Sequence, residues 1–240
     1  MLTANGGAIT AMKWWVGTSG FGYREWRGKF YPADCKPQDM LSFYAERFPA
    51  VEINASFYRM PAASSLRSWL AQAPEDFVFT FKAPALITHR KRLRDAGEAT
   101  AALQDRLSML GPHLGPILFQ LPPHLSRDIR LLSQFLDDIG SLPAAFEFRH
   151  PSWFSDEVYA LLRERQCALC ISERDDAPPP PLAVTAAFGY IRLRRGHYTD
   201  SELQSWKTRA TEAGWRETFV FFRHEETASG PAYVRKFLAI

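Results

Sequence analysis

A chain of 240 residues, 46% hydrophobic and 14% aromatic, holds ample material for a packed core, which excludes a disordered or disulfide-stapled polypeptide. The 29 Lys and Arg against 26 Asp and Glu leave a net charge of +3, too small by itself to argue for nucleic acid. Three cysteines, no apolar run near the roughly 18 residues of a membrane span, and no basic-then-apolar leader in MLTANGGAITAMKWW predict a cytoplasmic protein with no membrane partner.

In chain order, period-2 stretches alternate with amphipathic ones and no internal linker interrupts them. Strands are predicted at residues 14–19, 50–54, 77–82, 116–121, 144–149, 167–172, 189–194 and 218–223. Helical spacing falls at 38–48, 96–110, 126–139, 155–166 and 200–213, with Ser155 and Asp200 as N-caps ahead of acidic first turns. Eight strands alternating with helices over this length predict one domain, an α/β fold of the (β/α)8 TIM-barrel type, with residues 1–12 as a flexible extension. Pro178–Pro181 cannot occupy a helix interior, so the helix between strands six and seven is expected to be short or missing. A stiff surface loop or a proline-rich docking motif stands there instead.

Alternation along each strand separates a bulky apolar face from a polar one. Phe77, Phe79 and Phe81 oppose Val78, Thr80 and Lys82; Phe146 and Phe148 oppose Glu147 and Arg149; Ile191 and Leu193 oppose Tyr190, Arg192 and Arg194; Val51 and Ile53 oppose Glu52 and Asn54. With the apolar set facing the helices, the polar set turns inward, and Ser19 and Gln120 join it from strands one and four. These groups are expected to meet at the C-terminal mouth, where sites of this fold are built. Four cations (Lys82, Arg149, Arg192, Arg194) against two carboxylates (Glu52, Glu147) leave an excess of positive charge that suits an anionic ligand. The alternative is a structural ion network that fills the barrel.

Other groups belong to the same rim. His89, Arg90, Lys91, Arg92 and Arg94 follow strand three and could grip phosphates or form a solvated loop. Phe21, Tyr23, Trp26, Phe57, Tyr58 and Trp153 fall in loops after strands, as stacking platforms or as loop packing. His150 and His224, with Glu52 and Glu147, offer general acid–base groups or ligands for a divalent metal, though at no known metal spacing. Cys167 and Cys170 lie three apart in a strand and so face opposite ways, which favours buried apolar cysteines over a dithiol. No G-x-S-x-G elbow, P-loop or dinucleotide fingerprint is present.

The segments VGTSGFGYREWRGKFYP, VEINASFYRMP, FVFTFKAPALITHRKRL, LGPILFQLPP, FEFRHPSWF and YIRLRRGHYT, in that order, resemble the YecE-like family, domain of unknown function 72. The resemblance implies a TIM-type barrel without an established reaction. Its pattern positions here are Gly17 to Gly20, Trp26, Gly28, Phe30 to Pro32, Glu52, Asn54, Phe57, Tyr58, Lys82, His89, Gln120, Glu147 to Pro151 apart from Phe148, and Trp153. The chain departs from the family with Phe21-Gly22-Tyr23, and with Arg223, His224 and Glu225 where an Asn-Asn-Asp-like run is usual, so no role is carried over to the end of strand eight.

The leading expectation is an enzyme for a small phosphorylated or otherwise anionic compound. Arg149, Arg192, Arg194 and Lys82 would bind the anion, supported by Ser19, Tyr23, Trp26, Asn54, Tyr58, His89 and Gln120, while Glu52, Glu147 and His150 would serve catalysis. A nucleic-acid-processing enzyme, with Tyr23, Trp26 and Tyr58 stacking on bases, and a non-catalytic binding module are the alternatives.

Overall fold

In a computed structural model, which describes residues 12–223 and 228–240, the eight strands pair in parallel, in chain order, and close into a barrel. They are β1 (Lys13–Ser19), β2 (Ala50–Ile53), β3 (Val78–Lys82), β4 (Leu114–Gln120), β5 (Ala144–Glu147), β6 (Ala168–Glu173), β7 (Phe188–Leu193) and β8 (Glu217–Phe222). Each lies within two residues of its predicted bounds. The β1–β8 seam, from Lys13↔Glu217 to Thr18↔Phe222, removes both sheet edges. The expected extension lies almost wholly outside the described residues, which begin at Met12.

Seven α-helices wrap the described barrel: α1 (Met40–Ala45), α2 (Ala63–Leu70), α3 (Gly97–Ser108), α4 (Ile129–Ile139), α5 (Asp156–Glu164), α6 (Asp200–Glu212) and α7 (Ser229–Ala239). No helix separates β6 from β7, where the prolines stand. Two helices, α2 and α7, were not anticipated from spacing. The first buries only Leu66 fully and has no side-chain cap, and the second carries Gly230 and Pro231 in its first turn, residues that read as breakers although proline is tolerated there. Ser155 caps α5 as expected, accepting from the Val158 amide. Asp200 does not cap α6. Thr199 does, in a reciprocal capping box with Glu202, because the hydroxyl one residue earlier reaches the third amide.

Two apolar layers follow from the alternation. Between sheet and helices lie Phe77, Phe79, Phe81, Phe119, Phe146 and the apolar faces of the helices, and Cys167 is among them. Inside the barrel lie Trp15, Val78, Leu118, Cys170, Tyr190, Phe219 and Phe221, fitted around Ala50, Ala145 and Ala168. The two cysteines therefore face opposite layers, both buried and free. Gly17 is required by close approach, since a Cβ there would stand 1.8 Å from the Ala50 carbonyl oxygen. Above the apolar interior the register sets Ser19 beside Glu52, Glu52 beside Thr80, Gln120 beside Glu147, and Ser172 beside Arg192. The strands thus deliver a polar ring to the C-terminal end of the barrel.

Candidate functional site

At the centre of that ring the Arg192 guanidinium, 1% exposed, lies between two buried carboxylates. Its Nη1 donates to Glu147 Oε2 at 2.6 Å and its Nη2 to Glu52 Oε1 at 2.8 Å. Nη2 also reaches Asn54 Oδ1 at 3.5 Å. Glu52 accepts further from Ser19 Oγ at 2.7 Å and from the Tyr190 hydroxyl at 2.8 Å, while Thr80 Oγ1 lies 3.2 Å from that hydroxyl. Glu147 accepts from Gln120 Nε2 at 2.7 Å and from Arg149 Nε at 3.2 Å. Each carboxylate is thus held by at least three donors, which is how a buried charge becomes tolerable.

The electrostatics follow from that packing. Burial would raise the Glu147 carboxyl, but Arg192, Arg194 and Arg149 override it and hold the group at about 2. Burial likewise opposes the charge on Glu52, and Arg192 with the Ser19 and Tyr190 donors brings it below the ordinary range. Both side chains are therefore ionised at neutral pH. Neither has the raised pKa a general acid needs, and their oxygens are filled by donors rather than open to a divalent metal. Among the described residues no three His, Cys, Asp or Glu cluster as metal ligands; His224 and Glu225 lie outside those residues.

A less saturated layer lies over the network. Arg194 Nη1 makes a long ion pair with Glu147 Oε1 at 3.9 Å, yet neither it nor the buried Nε has a hydrogen-bond partner. Burial and the Arg192 cation lower this guanidinium to about 10, so it stays charged at neutral pH and accepts an anion readily. Next to it, Ser172 is 8% exposed and its Oγ has no partner. Ser172 lines a cavity of about 370 Å³ with Glu147, Arg149, Arg174, Phe154 and the Pro178–Pro181 loop. A smaller hollow of about 280 Å³ is lined by Arg149, Arg174, Arg194 and Arg223 together with Asp175 and Asp176. Both hollows open between the end of β5 and the loop that replaces a helix after β6.

The remaining expected residues divide. Ser19, Asn54, Gln120, Arg149 and Arg192 form or touch the ion network, and Lys82 and Arg194 flank it. Trp26, expected as a stacking platform, is instead 1% exposed and packs against Tyr23, Phe30 and Tyr31. The Tyr23 hydroxyl donates to the Ser19 carbonyl at 2.7 Å, tying down the end of β1. Trp153 is buried too, stacked on Phe148. Only Tyr58, 87% exposed, offers a bare aromatic surface from that set. His150 Nδ1 lies 2.8 Å from Ser152 Oγ and caps the turn that follows, so the structure ties it to that turn and not to the carboxylates. His89 packs edge-on against Phe57.

Sequence reasoning left Tyr190, Ser172 and Arg174 out of the site. Tyr190 and Ser172 had a signal, since each is an inward position of its strand, two residues from Arg192 and Cys170 respectively. Arg174 lies in a loop, where no periodicity tells direction.

With this geometry in view, comparison with known proteins gives one family. Residues 15–240 match the family described as "Protein of unknown function DUF72". The chain is similar to UPF0759 protein YunF of Bacillus subtilis, 30% identical over 154 residues covering 60% of this chain and 54% of that protein. It is similar also to UPF0759 protein YecE of Escherichia coli K12, 37% identical over 117 residues covering 48% and 43%. The chain spans about half the length of these curated relatives in the aligned regions. A crystal structure of a DUF72 family protein from Thermotoga maritima superposes with a TM-score of 0.83 at 27% identity, covering 95% of this chain and 98% of that one. One from Enterococcus faecalis gives 0.77 at 18% identity, over 94% of each chain, and shows the shared fold alone.

Proposed function

Because the chain belongs to the DUF72 family, whose description carries no reaction, we propose its function from the site alone: the barrel mouth binds a small phosphorylated or carboxylated compound and acts on it. One observation carries the reading. Ser172 keeps a buried hydroxyl without a partner in the cavity it lines with Arg149 and Arg174, and Arg194 keeps buried guanidinium nitrogens without hydrogen-bond partners in the smaller hollow that it lines with the same two arginines. Buried unpaired donors cost roughly 1–3 kcal/mol each, a cost that an anion with several acceptor oxygens would relieve. The ionised network below supports this, since Glu52 and Glu147 engage both terminal nitrogens of Arg192 and so fix the inner face of the mouth.

A thermal-melt series with sulfate, phosphate and phosphorylated or carboxylated metabolites tests it. A ligand at about 100 times its Kd stabilises by roughly 2.7 kcal/mol, a shift on the order of 5–10 °C for a chain of this size. The shift should vanish in Arg194→Ala. A flat response to every anion would remove the reading and leave a structural ion network.

A second reading rests on Tyr58, 87% exposed in the loop after β2, and on Arg90, Arg92 and Arg94, exposed in the segment after β3. An aromatic face with a basic rim suits a stacked base and its phosphates. Oligonucleotide binding that falls steeply with salt and is lost in Tyr58→Ala would favour it.

A further inference from the structure

Lys82 ends β3 in the same mouth, and its position is fixed: Ser56 Oγ donates to its carbonyl at 2.7 Å and the Ala83 amide pairs with Leu118. Its side chain lacks the polar partner that three other lysines have. Lys236 pairs with Asp200, Lys91 donates to the Asp95 carbonyl, and Lys207 donates to Phe237 and Ile240. Lys82 Nζ instead rests 3.9 Å from the centroid of the Phe57 ring and, among the described residues, forms no hydrogen bond or ion pair. The carboxylates that could have paired with it, Glu52 and Glu147, are already taken by Arg192.

We infer that Lys82 is a nucleophilic amine that condenses with the carbonyl group of a small anionic aldehyde or ketone held at this mouth. The inference rests on the anion-binding reading and names its substrate class. The charged groups around the amine are Arg192 and Arg194 from β7, Glu147 from β5 and Glu52 from β2. Burial first, and then the Arg192 cation, lower the ammonium to about 8 against the opposing pull of the two glutamates. The neutral, nucleophilic form is then far more populated near neutral pH than in an ordinary lysine. A lysine desolvated next to other cations is an activated nucleophile.

The condensation balances without an added oxidant or reductant. The Nζ lone pair forms a bond to the carbonyl carbon, and the carbon–oxygen π pair moves to oxygen, which takes the proton that the nitrogen gives up. The hydroxyl so formed leaves as water with a second proton while nitrogen completes the C=N bond, giving a protonated imine. Arg194 and Arg149 would hold the anionic group while the carbonyl faces the amine. His89 packs edge-on against the same Phe57 ring, and its Nδ1 lies 2.9 Å from Thr88 Oγ1. Burial, and next the Lys82 cation, lower its pKa, so a neutral imidazole stands in the neighbourhood to relay protons.

Two measurements on the full chain test this. Trace acetylation with acetic anhydride from pH 6 to 11, read by peptide mass spectrometry, should give Lys82 a midpoint near 8, with the exposed Lys29 and Lys36 followed in the same digest as internal references. Glyoxylate with cyanoborohydride, which delivers hydride to the imine carbon, should leave a secondary amine on Lys82 that is absent in Lys82→Arg. A Lys82 midpoint above 10 overturns the inference. So does an absent adduct, or one spread over Lys29 and Lys36 and retained in Lys82→Arg. The anion reading is judged separately, on the sulfate shift and its loss in Arg194→Ala, so a failure of the lysine chemistry is told apart from a failure of the reading on which it rests.

Discussion

Replacing Arg192 by methionine tests the ion network most directly. The change removes the central cation and leaves Glu52 and Glu147, 0% and 2% exposed, without their shared partner. Breaking a buried ion pair by deleting one member costs about 3–5 kcal/mol, because the remaining charge stays buried and uncompensated. Here two carboxylates lose short donors at 2.8 and 2.6 Å, while each keeps neutral donors from Ser19, Tyr190 and Gln120. We expect the middle of that range, about 4 kcal/mol, and a Tm lower by on the order of 8–16 °C. The sign with pH is fixed. Without Arg192 the folded-state Glu52 carboxyl, left with neutral donors only, titrates above its unfolded value while Glu147 keeps Arg149 and Arg194, so the variant is penalised most at pH 7 and the gap to the parent narrows toward pH 5. The triple variant Glu52→Gln, Glu147→Gln, Arg192→Met should recover part of the loss, since it removes both stranded carboxylates while Arg149 and Arg194 give up their pairing with Glu147. Urea melts of the three proteins at pH 7 and pH 5 decide the matter. A single variant that costs under about 1 kcal/mol, or a triple variant no better than the single, would refute the idea that Arg192 is what makes the two buried carboxylates tolerable.

The other outcomes follow from the same geometry. Glu147, held at about 2 against an ordinary 4.5, lends on the order of 3 kcal/mol that is present above pH 4.5 and lost as pH falls toward 2; the acid arm of a stability–pH curve should show it, and should flatten in Glu147→Gln. Ser172→Ala deletes a hydroxyl that has no partner, so stability should move by under about 0.5 kcal/mol while anion affinity, read by titration calorimetry, falls about tenfold for one lost charge-assisted hydrogen bond. Gly17→Ala drives a methyl to 1.8 Å from a backbone oxygen that cannot step aside, and should cost about 3 kcal/mol or more in chemical denaturation.

Much of this was legible in the order of residues. Eight period-2 runs separated by helical spacing specify a closed parallel barrel, because a strand buried on both faces needs one apolar side for the helices and another set for the interior. The same alternation assigned Glu52, Glu147, Arg192 and Gln120 to one face, and four prolines in a row ruled out a helix after β6. Alternation gives direction but not distance. Only closure of the sheet brought Arg192 between carboxylates 140 and 45 residues away in the chain, and so locked two expected acid–base groups in their ionised state. That same pairing used up the glutamates and left Lys82 over Phe57 alone. Loop residues obey no period: Trp26 and Trp153 turned into packing and Tyr58 into surface, and Arg174 came to line the cavity. Faces follow from the local backbone, which the sequence dictates residue by residue, whereas partners depend on how strands far apart in the chain are brought side by side.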